Sequence, residues 1–136
     1  MVSHTYPARL EEIAVISAAV LSAVEPYQLD AKMRFHIELA IDEACTNIVE
    51  HAYADVEGGE IVMSLEIIEG VLRLSFRDTG VPLDDPSGGG AIPADSSIED
   101  VAVGGLGIHM MRSVMDEVVY GKDEDGNVIT LMKNLT

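Results

Sequence analysis

Between Glu60 and Arg77 the chain carries two strand-forming runs back to back, Glu-Ile-Val-Met-Ser-Leu-Glu-Ile-Ile and Val-Leu-Arg-Leu-Ser-Phe-Arg, separated only by Glu69-Gly70. Two runs so joined predict a β-hairpin. In the second, Leu72, Leu74 and Phe76 fall on one face and Arg73, Ser75 and Arg77 on the other, because successive strand side chains alternate. Such a sheet is covered on one side and wet on the other, so the helices belong on a single face.

Two helical stripes supply the cover. Leu10, Ile13, Ala14, Ser17, Val20, Leu21 and Val24 recur at helical spacing and predict a helix from about Leu10 to Val24. Pro26 and an Asp30 N-cap punctuate the chain, and Met33, Ile37, Ile41, Ala44 and Ile48 then mark a second helix ending near Tyr53. After the hairpin, a stretch rich in Asp, Pro, Ser and Gly, with Gly88-Gly89-Gly90 at its heart, reads as a lid over about 83–105. A helix from about Leu106 to Met115, a strand from Glu117 to Lys122, a turn containing Asp125-Gly126 and a last strand from Asn127 to Lys133 complete the pattern. We expect one α+β domain over 1–136: a two-layer α/β sandwich with a mixed, mainly antiparallel sheet and helices on one face.

Charge narrows the function classes. With 24 acidic and 8 basic residues the chain carries a formal charge of −16, which argues against direct binding of nucleic acid. Any bound nucleotide must have its phosphates held by Mg²⁺ and by backbone N–H groups at a helix start. A single cysteine, Cys45, permits no internal disulfide and reads as a small apolar filler. The N-terminus lacks the form of a signal peptide, and the apolar run Ile13 to Val24, broken by Ser17 and Ser22, is short of the ~20 residues of a membrane span. The expectation is a soluble, cytoplasmic protein.

Three motifs carry candidate chemistry. On the second helix Glu43 and Asn47 lie ~40° apart and roughly 100° from the apolar stripe, at the edge of the packed face. There a carboxylate can accept a proton and an amide oxygen can meet a hard cation. Alone, they are also an ordinary polar pair. Asp78 ends the second strand two residues before Gly80, where a carboxylate can accept a hydrogen bond from an exocyclic amine; Asp-Gly turns are also common strand ends. Gly104-Gly105-Leu106-Gly107 leads into a helix and can turn N–H groups toward an anion, or serve as a hinge.

Taken together and in order, Glu43-Ala-Cys-Thr-Asn47 with His51 and Tyr53, Arg77-Asp-Thr-Gly-Val-Pro82, and Gly104-Gly-Leu-Gly-Ile-His-Met-Met111 ahead of Met115-Asp-Glu-Val118 resemble the three nucleotide-binding boxes of the GHKL, or histidine-kinase-like, ATPase superfamily. The likeness is to its short stand-alone branch, the anti-sigma-factor serine/threonine kinases. It runs from Tyr6-Pro7-Ala8 to the final strand and implies a Bergerat-type fold with ATP held between sheet and lid. The resemblance implies Glu43 as general base, Asn47 as Mg²⁺ ligand, Asp78 as adenine contact, Gly80 as clearance for the ligand, and Gly104, Gly105 and Gly107 as closing on the phosphates. It implies transfer of the ATP γ-phosphate to a serine or threonine of an anti-anti-sigma (STAS-type) protein, with a sigma factor or similar regulator as second partner. A homodimer is compatible with it, though no exposed stripe demonstrates one. The alternative is an ATP-dependent switch that sequesters its partner without kinase activity. Glu43 ahead of Asn47, the short lid and the lack of a phospho-acceptor histidine helix weigh against a detached sensor-kinase domain. Two departures stand out: no basic residue flanks the lid at Val103-Gly104, and Asn127 stands where the family often has Thr. The roles of Asn127 and His51 stay open, and His36 and His109 receive no chemistry.

Overall fold

The computed structural model describes residues 1–54, 56–82 and 103–136, the side chains of 103–108 excepted. Five strands form one sheet in the order β1-β2-β3-β5-β4. They are β1 (Val2–Pro7), β2 (Glu60–Ile68), β3 (Val71–Asp78), β4 (Glu117–Asp123) and β5 (Gly126–Asn134). All four pairings are antiparallel, so the described sheet contains no parallel pair. The helices are α1 (Ile13–Val24), α2 (Ala31–Asn47) and α3 (Val103–Val114).

The hairpin forms as its sequence predicts. Ile68 pairs with Val71, and both loop residues take positive φ, Glu69 at 52° and Gly70 at 79°. That is the type I′ geometry whose twist matches the flanking strands. Leu72, Leu74 and Phe76 are buried, whereas Arg73 is exposed and Ser75 and Arg77 half-buried. The covered face of the sheet, with Ile61, Met63, Ile129 and Leu131, packs into one core with the helices.

Asp30 caps α2 through a 2.8 Å bond from the Met33 N–H to its Oδ1. The predicted stripe of α2 holds: Ile37, Ile41, Ala44 and Ile48 are buried, and so is Cys45, whose thiol burial pushes far from ionisation. On α1 the buried face is Ile13, Ile16, Val20 and Val24. Leu10 lies in a 3₁₀ turn ahead of the helix and is exposed, and Ile16 rather than Ser17 is buried. Met111 of α3 and Met115, just past its end, are core residues.

Two elements differ from expectation. The edge strand β1 is absent from the sequence reading. Helix α3 begins at Val103, which places Gly104, Gly105 and Gly107 inside its first two turns rather than in a loop before Leu106. The remainder of the expected lid, 83–102, lies outside the described residues.

Candidate functional site

The site begins where α2 changes pitch. Beyond Asn47 the chain makes a π-helical turn over Ile48–Ala52, and the Tyr53 N–H bonds back five residues to the Ile48 carbonyl at 3.0 Å. Such turns redirect the residues that follow them. Here the Ala52 carbonyl, left over at the helix end, accepts from the Val81 N–H at 2.8 Å. The Tyr53 hydroxyl donates to the Glu60 carbonyl at 2.9 Å and accepts from the Thr79 N–H at 2.9 Å. Helix end and the turn after β3 are thus sewn together.

That turn carries a buried carboxylate. Asp78 is 5% exposed. Its Oδ1 accepts from the Gly80 N–H at 2.9 Å and from the Asn127 Nδ2 at 2.8 Å. The same Nδ2 also donates to the Gly80 carbonyl at 3.0 Å. Burial raises the Asp78 pKa, and the bonds from Asn127 and Gly80 pull against it without overcoming it. Such closeness of β5 to the end of β3 depends on Gly126: a β-carbon there would sit 2.1 Å from the Asp78 carbonyl oxygen.

Asp78 and Asn47 line one cleft, with walls from Ala44, Ile48, Ala52, Val81, Tyr120 and Ile129. Asn47 is 8% exposed, and its Nδ2 is buried with no hydrogen-bond partner among the described residues. Buried amides are normally satisfied, so this one signals capacity that the fold itself does not use.

The sequence pattern of the histidine kinase-like ATPase domain matches residues 6–133. The chain belongs to that family. A serine-protein kinase RsbW of Halalkalibacterium halodurans is 30% identical over 137 residues, 98% of this chain and 83% of that protein. The protein of the same name from Bacillus cereus strain B4264 is 29% identical over 126 residues, 90% and 78% of the two chains. These place the domain with the anti-sigma-factor kinase branch. Among solved structures, the RsbU and RsbW domains of Rv1364c from Mycobacterium tuberculosis superpose with a TM-score of 0.68 at 21% identity. That match covers 98% of this chain and 31% of the larger one. The catalytic domain of histidine kinase ThkA gives 0.59 at 16% identity, covering 100% of this chain and 97% of that domain. Both superpositions speak for the fold.

In this ATPase domain the predicted residues fall into two groups. Asn47, Asp78 and Gly80 come together. Gly80 has a packing reason to be glycine, since a β-carbon there would lie 2.2 Å from the Ala52 carbonyl oxygen. Glu43, one helical turn before Asn47, is half-buried and does not line the cleft. Partial burial, reinforced by the negative charge of Asp42, raises its carboxyl above the usual range. Gly104, Gly105 and Gly107 enter through α3, which packs against α2.

Sequence reasoning left Asn127 open and gave Tyr53 no role, although both organise the Asp78 turn. The signal that finds Asn127 is strand register, which pairs it with Asp78. His51 is half-buried in the π-helical turn.

The donor set suits a magnesium nucleotide. Among the described residues no group of three or more His, Cys, Asp or Glu side chains could hold a metal alone. Mg²⁺ asks for less, because it keeps several waters and takes phosphate oxygens alongside one or two protein ligands. The unpartnered Asn47 amide can turn its Oδ1 into the cleft without breaking a bond.

No helix among the described residues is long and apolar enough to cross a membrane.

Proposed function

We propose that this domain is a Mg²⁺/ATP-dependent protein serine/threonine kinase. Its substrate would be an anti-anti-sigma (STAS-type) protein, and a sigma factor or similar regulator would be its second partner. The observation that carries the reading is the buried Asp78, fixed by Asn127 and the Gly80 N–H, in one cleft with the unpartnered Asn47 amide. The likeness over nearly the whole chain to proteins named serine-protein kinase supports the choice of reaction.

In this scheme Asp78 accepts a hydrogen bond from the exocyclic amine of adenine through Oδ2, the oxygen that carries neither internal bond. Asn47 would hold Mg²⁺ through its amide oxygen. The cation supplies charge neutralisation at the phosphates. The backbone N–H groups of Gly104 and Gly105, in the first turn of α3, add the positive end of a helix dipole, whereas the N–H of Gly107, one turn further in, belongs to the helix's own ladder. Glu43 accepts the proton of the partner's hydroxyl, and its raised pKa moves it toward the range in which a base is effective near neutrality. Phosphoryl transfer is mainly positioning and charge stabilisation, so this set suffices.

Glu43→Ala tests the assignment. The variant should still bind Mg²⁺/ATP, while the added phosphate on a partner protein, read by mass spectrometry, disappears. Undiminished transfer would remove Glu43 from the scheme, and no transfer by the unaltered protein would leave a nucleotide-gated sequestering module.

A further inference from the structure

We propose that Phe35 and Leu39 are the docking surface for the phospho-acceptor protein: they form one ridge of α2 with Glu43 and Asn47, and the partner lies along that ridge with its hydroxyl at Glu43. The proposal rests on the kinase reading above and adds to it where the partner is held.

Helix α2 sets four residues in one line. Phe35, Leu39, Glu43 and Asn47 stand four positions apart, so together they make a single i, i+4 ridge. Each step also advances ~40° around the axis, and three of them carry the ridge through roughly 120°. Exposure follows that turn: Phe35 is 58% exposed, Leu39 and Glu43 are half-buried, and Asn47 is 8% exposed at the cleft. The ridge runs from open surface down to the nucleotide.

Its outer end is apolar on a helix face that is otherwise charged. The other exposed residues of α2 are Ala31, Lys32, Arg34, Glu38 and Asp42. Of the chain's two phenylalanines, Phe76 is fully buried and Phe35 is left outside. Single exposed apolar residues are common on protein surfaces. This one is set apart by its ridge, which makes Leu39 its neighbour and Glu43 the next residue along.

The reaction decides what covers it. In phosphoryl transfer the attacking and leaving oxygens lie roughly in line, on opposite sides of the γ-phosphorus. With the nucleotide at the Asn47 end, the acceptor reaches Glu43 from the Phe35 end. Its oxygen bonds to phosphorus as the bond to ADP breaks, and its proton passes to Glu43. A rise of about 1.5 Å per residue puts Glu43 about 6 Å beyond Leu39 and about 12 Å beyond Phe35 along the axis. The partner therefore carries an apolar side chain about 12 Å from its hydroxyl. The adjoining ridge bears exposed Glu38 and Asp42, so a basic residue of the partner belongs beside that apolar anchor.

The test is phosphorylation kinetics with Mg²⁺/ATP and a STAS-type protein of the same cell as acceptor, its added phosphate read by mass spectrometry, for the unaltered chain, Phe35→Ala and Val15→Ala. Val15 is an apolar residue of α1, 50% exposed and off the ridge. Both side chains are exposed, so the melts should agree within about 2 °C and the titrated ATP affinities should be equal. We expect Phe35→Ala to raise KM for the acceptor about 10-fold with kcat within about twofold, the mark of lost uniform binding, and Val15→Ala to change neither. An unmoved KM in Phe35→Ala overturns the proposal, and so does an equal rise in Val15→Ala. A dimer of the unaltered chain that Phe35→Ala splits in sedimentation gives the ridge to a second copy and overturns it as well. No transfer by the unaltered chain takes down the proposal together with the function it rests on, whereas transfer with an unmoved KM removes the proposal alone.

Discussion

The two ends of the cleft are built on opposite plans. At the Asp78 end the protein satisfies itself: Asp78 Oδ1 holds two donors, Asn127 spends both hydrogens, Tyr53 ties Thr79 to Glu60, and Ala52 holds Val81. At the Asn47 end little is spent. Among the described residues the Asn47 amide nitrogen is buried without a partner, and Glu43, a turn earlier and outside the cleft's lining, is half-exposed with a raised pKa. One end is preorganised by the fold; the other keeps its hydrogen-bonding capacity for something that arrives. The difference teaches which substitutions confuse stability with function and which separate them.

Gly126→Ala should break the first end outright. Its φ of 124° is foreign to L side chains, and the new methyl would stand 2.1 Å from the Asp78 carbonyl oxygen. Strain and collision together should cost about 3 kcal/mol or more, on the order of 10 °C in a thermal melt. A melt unchanged within a degree would mean that β5 does not need this approach.

Asn47→Ala sharpens the contrast from the other end. The side chain makes no bond through its buried amide nitrogen, so stability should change by about 1 kcal/mol or less, while magnesium-dependent nucleotide binding is lost. Comparison of denaturant midpoints with nucleotide titrations checks both halves. A large loss of stability would show that the fold uses Asn47 after all.

Arg77→Ala should do least. Arg77 meets Asp123 through two bonds of 2.6 and 3.0 Å on the open side of the sheet, away from the cleft. Its partner's pKa is held low by that contact, yet exposed pairs are screened by solvent, so we expect a shift of about 2 °C or less and no change in nucleotide affinity.

What was legible in the sequence follows the same division. The α2 stripe and the Asp30 cap are local patterns, and a helix reports its buried face every three or four residues. The β2–β3 hairpin is equally local, because two residues fix its turn. Strand β1 was not legible: it is largely exposed, lacks an apolar face and exists through its register with β2, from Val2 against Leu65 to Pro7 against Glu60. On α1 the stripe found Ile13, Val20 and Val24 but took Ser17 in place of Ile16, and it counted Leu10, which lies in a 3₁₀ turn ahead of the helix. Asp78 and Asn47 were found as motif residues, but the bond from the Asn127 amide to Asp78 depends on pairing across 49 positions. No window of sequence contains that pairing.

Asp78 also links the site to pH. Its folded pKa lies above the ordinary aspartate value, so the fold holds the proton more tightly than the unfolded chain does. The stability this group contributes is present below the ordinary value and is lost as pH rises through the raised one. Asp78→Asn keeps an oxygen for both internal donors and removes the titration, so between those two values the melting temperature of the native protein should fall relative to the variant's as pH rises.

The central claim is that this self-satisfied carboxylate is where the nucleotide base is read. Isothermal titration of Mg²⁺/ATP into Asp78→Asn at neutral pH tests it most directly. The account predicts a folded protein, at least as stable as the native one, whose affinity for ATP falls by about 10- to 100-fold. A folded variant that binds ATP as tightly as the native protein would contradict it.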